Sequence, residues 1–286
     1  MKVLSWNMLF NNAQSERALV FLRDCGADII CLQEVPDPFL ARLCELPYAL
    51  VYAPETDRVF RGTRSHQNLI ILSRYPIKSH TILPLPNRER ERDPVRTRLF
   101  IGLMYLLCKW ARGTGERSAL IAEIETPNGR IEVFNLHLPL HRALWRRKEF
   151  ETIVGKRNPS MPTIVCGDFN TLESRRISIL SWLLGGPFAD SFFWRRERAH
   201  MEERFSAHAL TNALRGRVTH PLSQSQLDHI LLSRHFTFSE ARAADDAVGS
   251  DHRPVSALVV LELISRQHDD NEPKRRSQRE ELIHKR

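Results

Sequence analysis

Short apolar runs recur along the chain, each closed by a polar or helix-period stretch. "KVLSW" reads as a first strand. "SERALVFLRDCG" follows, with Ala18, Leu19 and Leu22 at helical spacing and Gly26 placed as a C-terminal cap. "DIICLQ" and "LIILS" are the next strands, and "RYPI" turns the chain after the second. "SALIAEIET" and "RIEVFNLHL" flank "PNG", a hairpin signal. "HRALWRRKEFETIVGKR" predicts a basic helix, "PTIVCG" a strand, and "RRISILSWLLGG" a helix closed by glycines. "LDHILLS" and "PVSALVVLELI" are late strands. Hairpins and helical crossovers together predict an α/β protein with two packed sheets and helices outside them. No internal repeat is present. "NRERERDPVRTR" is charged and expected on the surface.

Length and composition set bounds on this picture. At 286 residues and 42% hydrophobic, the chain can bury a sizeable core. The pattern supports one folded unit over 1–265. Over 266–286, "RQHDDNEPKRRSQREELIHKR" has few apolar residues and reads as a basic, flexible tail. The net charge of +8 favours polyanionic partners: nucleic acid, phosphorylated small molecules or an acidic membrane surface. Five cysteines form no C-x-x-C pair and mostly lie in apolar runs, which predicts reduced core thiols. "MKVLSWNMLFNN" reads as a strand rather than a signal peptide. "LFIGLMYLLCKW" (99–110) is the most hydrophobic segment but is too short for a transmembrane span, and is expected to be a buried core element. The expectation is a cytoplasmic monomer.

The polar residues carry the chemistry. In "TIVCGDFNTLES", alternation along an extended segment would project Asp168 and Asn170 together while Phe169 packs on the other side. A helix cap or Asx-turn is the competing reading. The other strands decide between them. "KVLSW" ends in Asn7, "DIICLQ" in Glu34 and "RIEVFNL" in His137. Asp228 precedes "HILLS", and Asp251-His252 precede "RPVSALVVLELI". If the last two strands run opposite to the others, all these groups meet at one edge. Carboxylates crowded there would repel without a cation. The oxygen-rich set suits Mg²⁺ or Mn²⁺ rather than structural zinc, and His137 and His252 can pass protons near neutrality.

The segments "SWN", "LQEV", "NLIILSRYPI", "FNLHL", "CGDFNT", "LDHILLS" and "SDHRPV" occur in an order that resembles the endonuclease/exonuclease/phosphatase superfamily, from Met1 to about Leu263. The resemblance implies a four-layer α/β sandwich and Mg²⁺-dependent cleavage of phosphoester bonds. It assigns Glu34 as principal metal ligand, with Asn7 and Asp251 completing or supporting the shell. It pairs His252 with Asp228 to activate water, with Asp168 as the competing base or orienting group. Asn170 would hold a phosphate oxygen, and His137 would contact phosphate and act as general acid. Asn68, before "LIILS", is either a phosphate or His137 contact or a turn residue. His229 is left off the site, and His66, His141 and His220 read as surface side chains.

The substrate is less legible. "RVFRGTRSHQ", "HRALWRRKEF" and "FFWRRERAH" suggest a groove that binds anions, and hence a nuclease acting on nucleic acid. A solvated helix face is the plain alternative for the second of these. Segment 99–110 motivates a second reading, a phospholipid or sphingolipid head-group phosphodiesterase in peripheral contact with a membrane. "LDHILLS" stands where the inositol-phosphate phosphatase branch carries a cysteine-containing motif, which argues against that branch. A binding module that kept the fold and lost chemistry is the non-enzyme reading. The complete residue set argues against it.

Overall fold

The computed structural model describes residues 1–60, 63–86, 94–108, 112–114 and 117–262. The expected tail, 266–286, therefore lies outside the described residues, as do Lys109 and Trp110 of the apolar segment. In chain order the elements are β1 (Lys2–Asn7), α1 (Ser15–Asp24), β2 (Ile29–Pro36), α2 (Asp37–Leu43), β3 (Ala49–Phe60), β4 (Thr63–Ser73), β5 (Ile77–Pro84) and α3 (Val95–Cys108). Then come β6 (Arg112–Thr114), β7 (Ser118–Thr126), β8 (Gly129–His137), α4 (Ala143–Val154), β9 (Thr163–Asp168), α5 (Ser178–Leu183), α6 (Arg196–Ala207), β10 (Leu210–Asn212), β11 (Asp228–Ser233), β12 (Phe236–Ala243) and β13 (Val255–Leu261).

The strands form two sheets, ordered β12-β13-β1-β2-β4-β3-β6 and β10-β11-β9-β8-β7-β5. Period-two alternation sends one set of side chains between the sheets and the other outward. Val3, Ile29, Cys31, Val133, Ile164, Cys166 and Ile230 meet in the inter-sheet core. On the outside of the first sheet, Leu4, Trp6, Ile30 and Leu32 pack on Ala18 and Leu22 of α1 and on Phe39 and Leu43 of α2. On the outside of the second, Phe134, Leu136, Val165 and Leu231 pack on Phe150 and Ile153 of α4 and on Met201 and Phe205 of α6. Helix, sheet, sheet and helix give the four layers expected. The α1 helix stops where Gly26 takes φ +65°, and the β7–β8 hairpin closes with Thr126 opposite Gly129.

Two expectations are corrected. Segment 99–110 is not a core element. Its described part, 99–108, belongs to α3, where Thr97 is buried but Leu99, Leu103 and Leu106 are at least half exposed. Apolar residues fall on every side of this helix, so composition could not show that only one side has a partner. Among the cysteines, Cys31 and Cys166 are core thiols as expected, whereas Cys44 is exposed at the end of α2 and Cys25 is half-buried.

Candidate active site

Within each central strand, the inward-facing side chains turn from apolar to polar toward the same end. In β1 the series is Val3, Ser5, Asn7; in β2 it is Cys31, Gln33; in β8 it is Val133, Asn135, His137; in β9 it is Cys166, Asp168. The pairing keeps these series in step. β9 runs parallel to β8 with His137 opposite Asp168, and antiparallel to β11 with Asp228 opposite Asp168. Cross-strand partners share a face, so His137, Asp168 and Asp228 form one row. The last strands do run opposite to the others: β13 is antiparallel to β1, which brings Asp251 and His252 to the same rim. Below the rim a polar belt ties the sheets together. Gln33 Nε2 donates to Asn135 Oδ1 at 2.7 Å, and Asn135 Nδ2 donates to the carbonyls of Leu32 and Ile70.

Asp168 is the hub of the rim. Its Oδ2 accepts from Asn7 Nδ2 at 3.0 Å and lies 3.4 Å from His137 Nε2 and 3.7 Å from His252 Nε2. Asp228 Oδ2 meets His252 Nδ1 at 2.9 Å, the pairing the family resemblance implied. A carboxylate at Nδ1 fixes the tautomer and leaves Nε2 facing Asp168. His252 is held from behind by Trp6 Nε1, which donates to its carbonyl oxygen at 3.1 Å.

"GDFN" combines the two local readings. The extended run ends at Asp168, and Phe169 packs between Phe150 and Phe205 as alternation requires. Asn170 does not continue the strand. It takes φ +50° and its N–H donates to Asp168 Oδ1 at 2.8 Å, an Asx-type turn. The turn still aims the Asn170 amide into the site, where it lies 3.0 Å from His137 Nε2 and donates to the Leu138 carbonyl at 2.9 Å.

Glu34 sits at a bulge, where the β2–β4 register shifts between Leu32 and Val35, and takes φ +57°. A non-glycine residue held in that region is strained and over-determined by its surroundings. Its N–H donates to Glu55 Oε2 at 2.7 Å, and its carboxylate is gripped by Arg58 and accepts from Phe10 N at 3.3 Å. Arg58 also lies over the Phe10 ring. Asp251 is turned toward His220, with 3.8 Å between Oδ2 and Nε2. Asn68, in β4, does not orient His137: its amide donates to Val35 O of β2 and Asp37 Oδ1 of α2.

The partner of His137 is a residue the sequence reading missed. Glu55 Oε1 lies 2.6 Å from His137 Nδ1, and both side chains are buried. A register shift in β3 between Pro54 and Thr56 releases Glu55 from the ladder, and no local pattern in "YAPETDRVF" announces it. His220, read as a surface residue, instead packs against His252, with ring centres 4.9 Å apart and planes tilted by 55°. His229 packs against Phe169 with Arg198 beside it, and burial pushes its imidazole well down, so it is a neutral core residue.

The electrostatics are those of a crowded anionic rim. Burial alone would lower the His252 imidazole, but Asp228 and Asp168 outweigh it and hold it at about 10. His137 is likewise raised, with Glu55 and Asp168 overcoming burial. Burial raises Asp168, the two imidazoles opposing. Burial would also raise Asp251, but His220 and His252 bring it down to about 2. Two triads have ligand atoms within 4.8 Å of one another: Asp168, Asp228 and His252, and His220, Asp251 and His252. Glu34 belongs to neither. Asp228 Oδ1 is buried with no hydrogen-bond partner among the described residues. An orphaned carboxylate oxygen beside further carboxylates fits a divalent cation, which would supply the missing positive charge.

The sequence profile of the Endonuclease/Exonuclease/phosphatase family matches residues 4–252. No curated protein matches the chain significantly. Among solved structures it is similar to an endonuclease/exonuclease/phosphatase from Beutenbergia cavernae, with a TM-score of 0.64 at 16% identity over 92% of this chain and 72% of that one. It is also similar to the 3' phosphatase NExo from Neisseria bound to a product DNA hairpin, at TM-score 0.59 and 16% identity over 91% and 99%. D. rerio TDP2 complexed with a single-strand DNA product gives TM-score 0.56 at 15% identity over 91% and 98%. These likenesses speak to the fold; the profile match extends from β1 to His252 and takes in every residue of the rim. The chain therefore belongs to the endonuclease/exonuclease/phosphatase family and is a phosphoester hydrolase.

Proposed function

We propose that the chain is a Mg²⁺-dependent phosphodiesterase that cleaves nucleic acid by attack of water on phosphorus. The row His137–Asp168–Asp228 closed by His252 carries this reading, because it sets two imidazoles, each backed by its own carboxylate, on either side of one acid. With a bound cation offsetting the acids that hold its imidazole protonated, His252, oriented by Asp228, would accept a proton from the attacking water, with Asp168 orienting that water or serving as the base in its place. His137, held by Glu55, faces the departing oxygen and donates a proton to it. Asn170 and Asn7 present amide donors to phosphate oxygens. Glu34, Asn7 and Asp251 would hold the ion, which requires the Glu34 carboxylate to leave Arg58. Bound Mg²⁺, or Mn²⁺ in its place, would offset charge on the phosphoryl oxygens.

A phospholipid head group is the second substrate reading, and two observations favour it. Several of the arginines expected to line a nucleic-acid groove are paired with acids of this chain: Arg58 with Glu34, the exposed Arg64 with Asp57, Arg146 with Glu197 and Arg198 with Glu173. The α3 helix also presents apolar residues to solvent. Purified protein assayed with and without Mg²⁺ against intact and abasic duplex DNA, single-stranded DNA, RNA, sphingomyelin and phosphoinositides separates the two readings. Glu34→Gln and His252→Ala are each expected to abolish Mg²⁺-dependent hydrolysis of bis-p-nitrophenyl phosphate while leaving the melting transition cooperative. Undiminished turnover in both would remove the site assignment.

A further inference from the structure

The α3 helix has two apolar sides and only one of them is packed. Thr97, Phe100 and Met104 recur at three- and four-residue spacing on the inner side. Phe100 rests on a cluster built from Leu172, Leu184 and Leu227. That cluster is rooted in the active rim, since Leu172 follows Asn170 by two residues and Leu227 precedes Asp228. Arg96 fastens the helix start, donating from Nε to the Trp182 carbonyl at 3.1 Å and from Nη2 to the Gly186 carbonyl at 3.0 Å. On the outer side Val95, Leu99, Leu103 and Leu106 are exposed, Leu106 by 75%. Beyond α5 the exposed apolar surface continues. Phe188 packs edge-on between Trp182 and Phe192, yet Phe188, Phe192 and Phe193 are each more than 60% exposed.

Charge decides what this surface meets. Residues 94–108 and 175–196 contain six arginines and one acidic residue, Asp190. Arg98, Arg175, Arg195 and Arg196 are exposed. A second copy of the chain would set like charge against like charge across a dry contact. Nucleic acid would satisfy the arginines but leave the aliphatic stripe of α3 without a partner. An anionic bilayer satisfies both, since arginines meet lipid phosphate while leucine and phenylalanine enter the acyl boundary. Among the described residues no helix is long and apolar enough to cross a membrane, so the contact is peripheral. We propose that the outer side of α3 and the aromatic segment 188–193 form a platform that docks the enzyme on an anionic lipid surface, with its catalytic rim anchored directly behind.

The docking is separable from the chemistry and is tested without it. Full-length protein in chelator is sedimented with vesicles of phosphatidylcholine alone or mixed with phosphatidylglycerol. Binding is expected to the mixed vesicles, weaker with rising salt, and reduced about tenfold or more in Leu99→Glu/Leu103→Glu. The basic tail is intact in both proteins, so the difference reports on α3. These leucines are exposed, and the variant is expected to keep its melting temperature and its hydrolysis of bis-p-nitrophenyl phosphate. Absence of wild-type binding, or equal binding by the variant, overturns the platform. So does a wild-type dimer that the variant converts to monomer, which would make the surface a self-association face. Wild-type protein that binds the mixed vesicles but hydrolyses no phosphoester would count against the proposed activity and leave the docking in place.

Discussion

Glu55 shows how much of this site rests on side chains that do not advertise themselves. One oxygen meets His137 Nδ1 and the other accepts the Glu34 N–H, so a single buried carboxylate sets an imidazole tautomer and pins the strained backbone of the expected metal ligand. Its own carboxyl is kept below the usual range, since the charge of and hydrogen bond from His137 outweigh burial. A Glu55→Gln substitution keeps the shape and removes the charge. The expected result is a fall in kcat of about 10- to 100-fold, the usual cost of losing an orienting partner, with KM for bis-p-nitrophenyl phosphate little changed. Imidazole nitrogen shifts of His137 would move at the same time, which a merely structural glutamate would not cause. Unaltered kcat and shifts would remove Glu55 from the machinery.

At the scale of elements, the step from β9 into the site depends on one glycine. Gly167 takes φ +146°, and a Cβ built there would lie 1.8 Å from the Leu136 carbonyl oxygen of the neighbouring strand. The clash is with backbone, so no side-chain movement relieves it. Gly167→Ala is expected to cost on the order of 3 kcal/mol or more, a drop in melting temperature of roughly 6–12 °C, or to prevent soluble expression. A melt within 2 °C of wild type, on the scale of roughly 2–4 °C per kcal/mol, would contradict the geometry. The same scale holds a second lesson in α4, whose sequence reads as a basic helix. Arg146 is buried and donates to Glu197, Pro139 O and Leu140 O. A cation in a helix-period pattern does not reveal whether its side faces solvent or a second helix.

At the scale of the whole molecule, the candidate ion site spans both sheets. Asn7 and Glu34 come from the first and Asp168 from the second, while Asp251 and His252 lie on the loop before β13. A cation bound there clamps the open rim and relieves mutual repulsion of the acids. Binding to the folded state alone at a hundred times Kd stabilises by about 2.7 kcal/mol. Mg²⁺ is therefore expected to raise the melting temperature by roughly 5–10 °C, with chelator reversing the shift and Glu34→Gln reducing it. A melt indifferent to Mg²⁺ and Mn²⁺ in the wild-type protein would count against a divalent site.

The sequence by itself determined the layers, the family and most of the rim. Period-two alternation with inward residues turning polar at one end is written along each strand, and the motif order carries Asn7, Glu34, His137, Asp168, Asn170, Asp228 and His252 to their places. The Asp228–His252 pair was legible only through the resemblance of "LDHILLS" and "SDHRPV" to the family's motifs. Only the tertiary structure decided what depends on neighbours distant in the chain. A bulge in β3 turned Glu55 toward His137, Arg58 reached across to Glu34, and His220 packed against His252. Asn68 was committed to Asp37 rather than to His137. It likewise decided that α3 packs one apolar side and exposes the other, since hydrophobicity states how much a residue gains from burial but not whether anything is there to bury it.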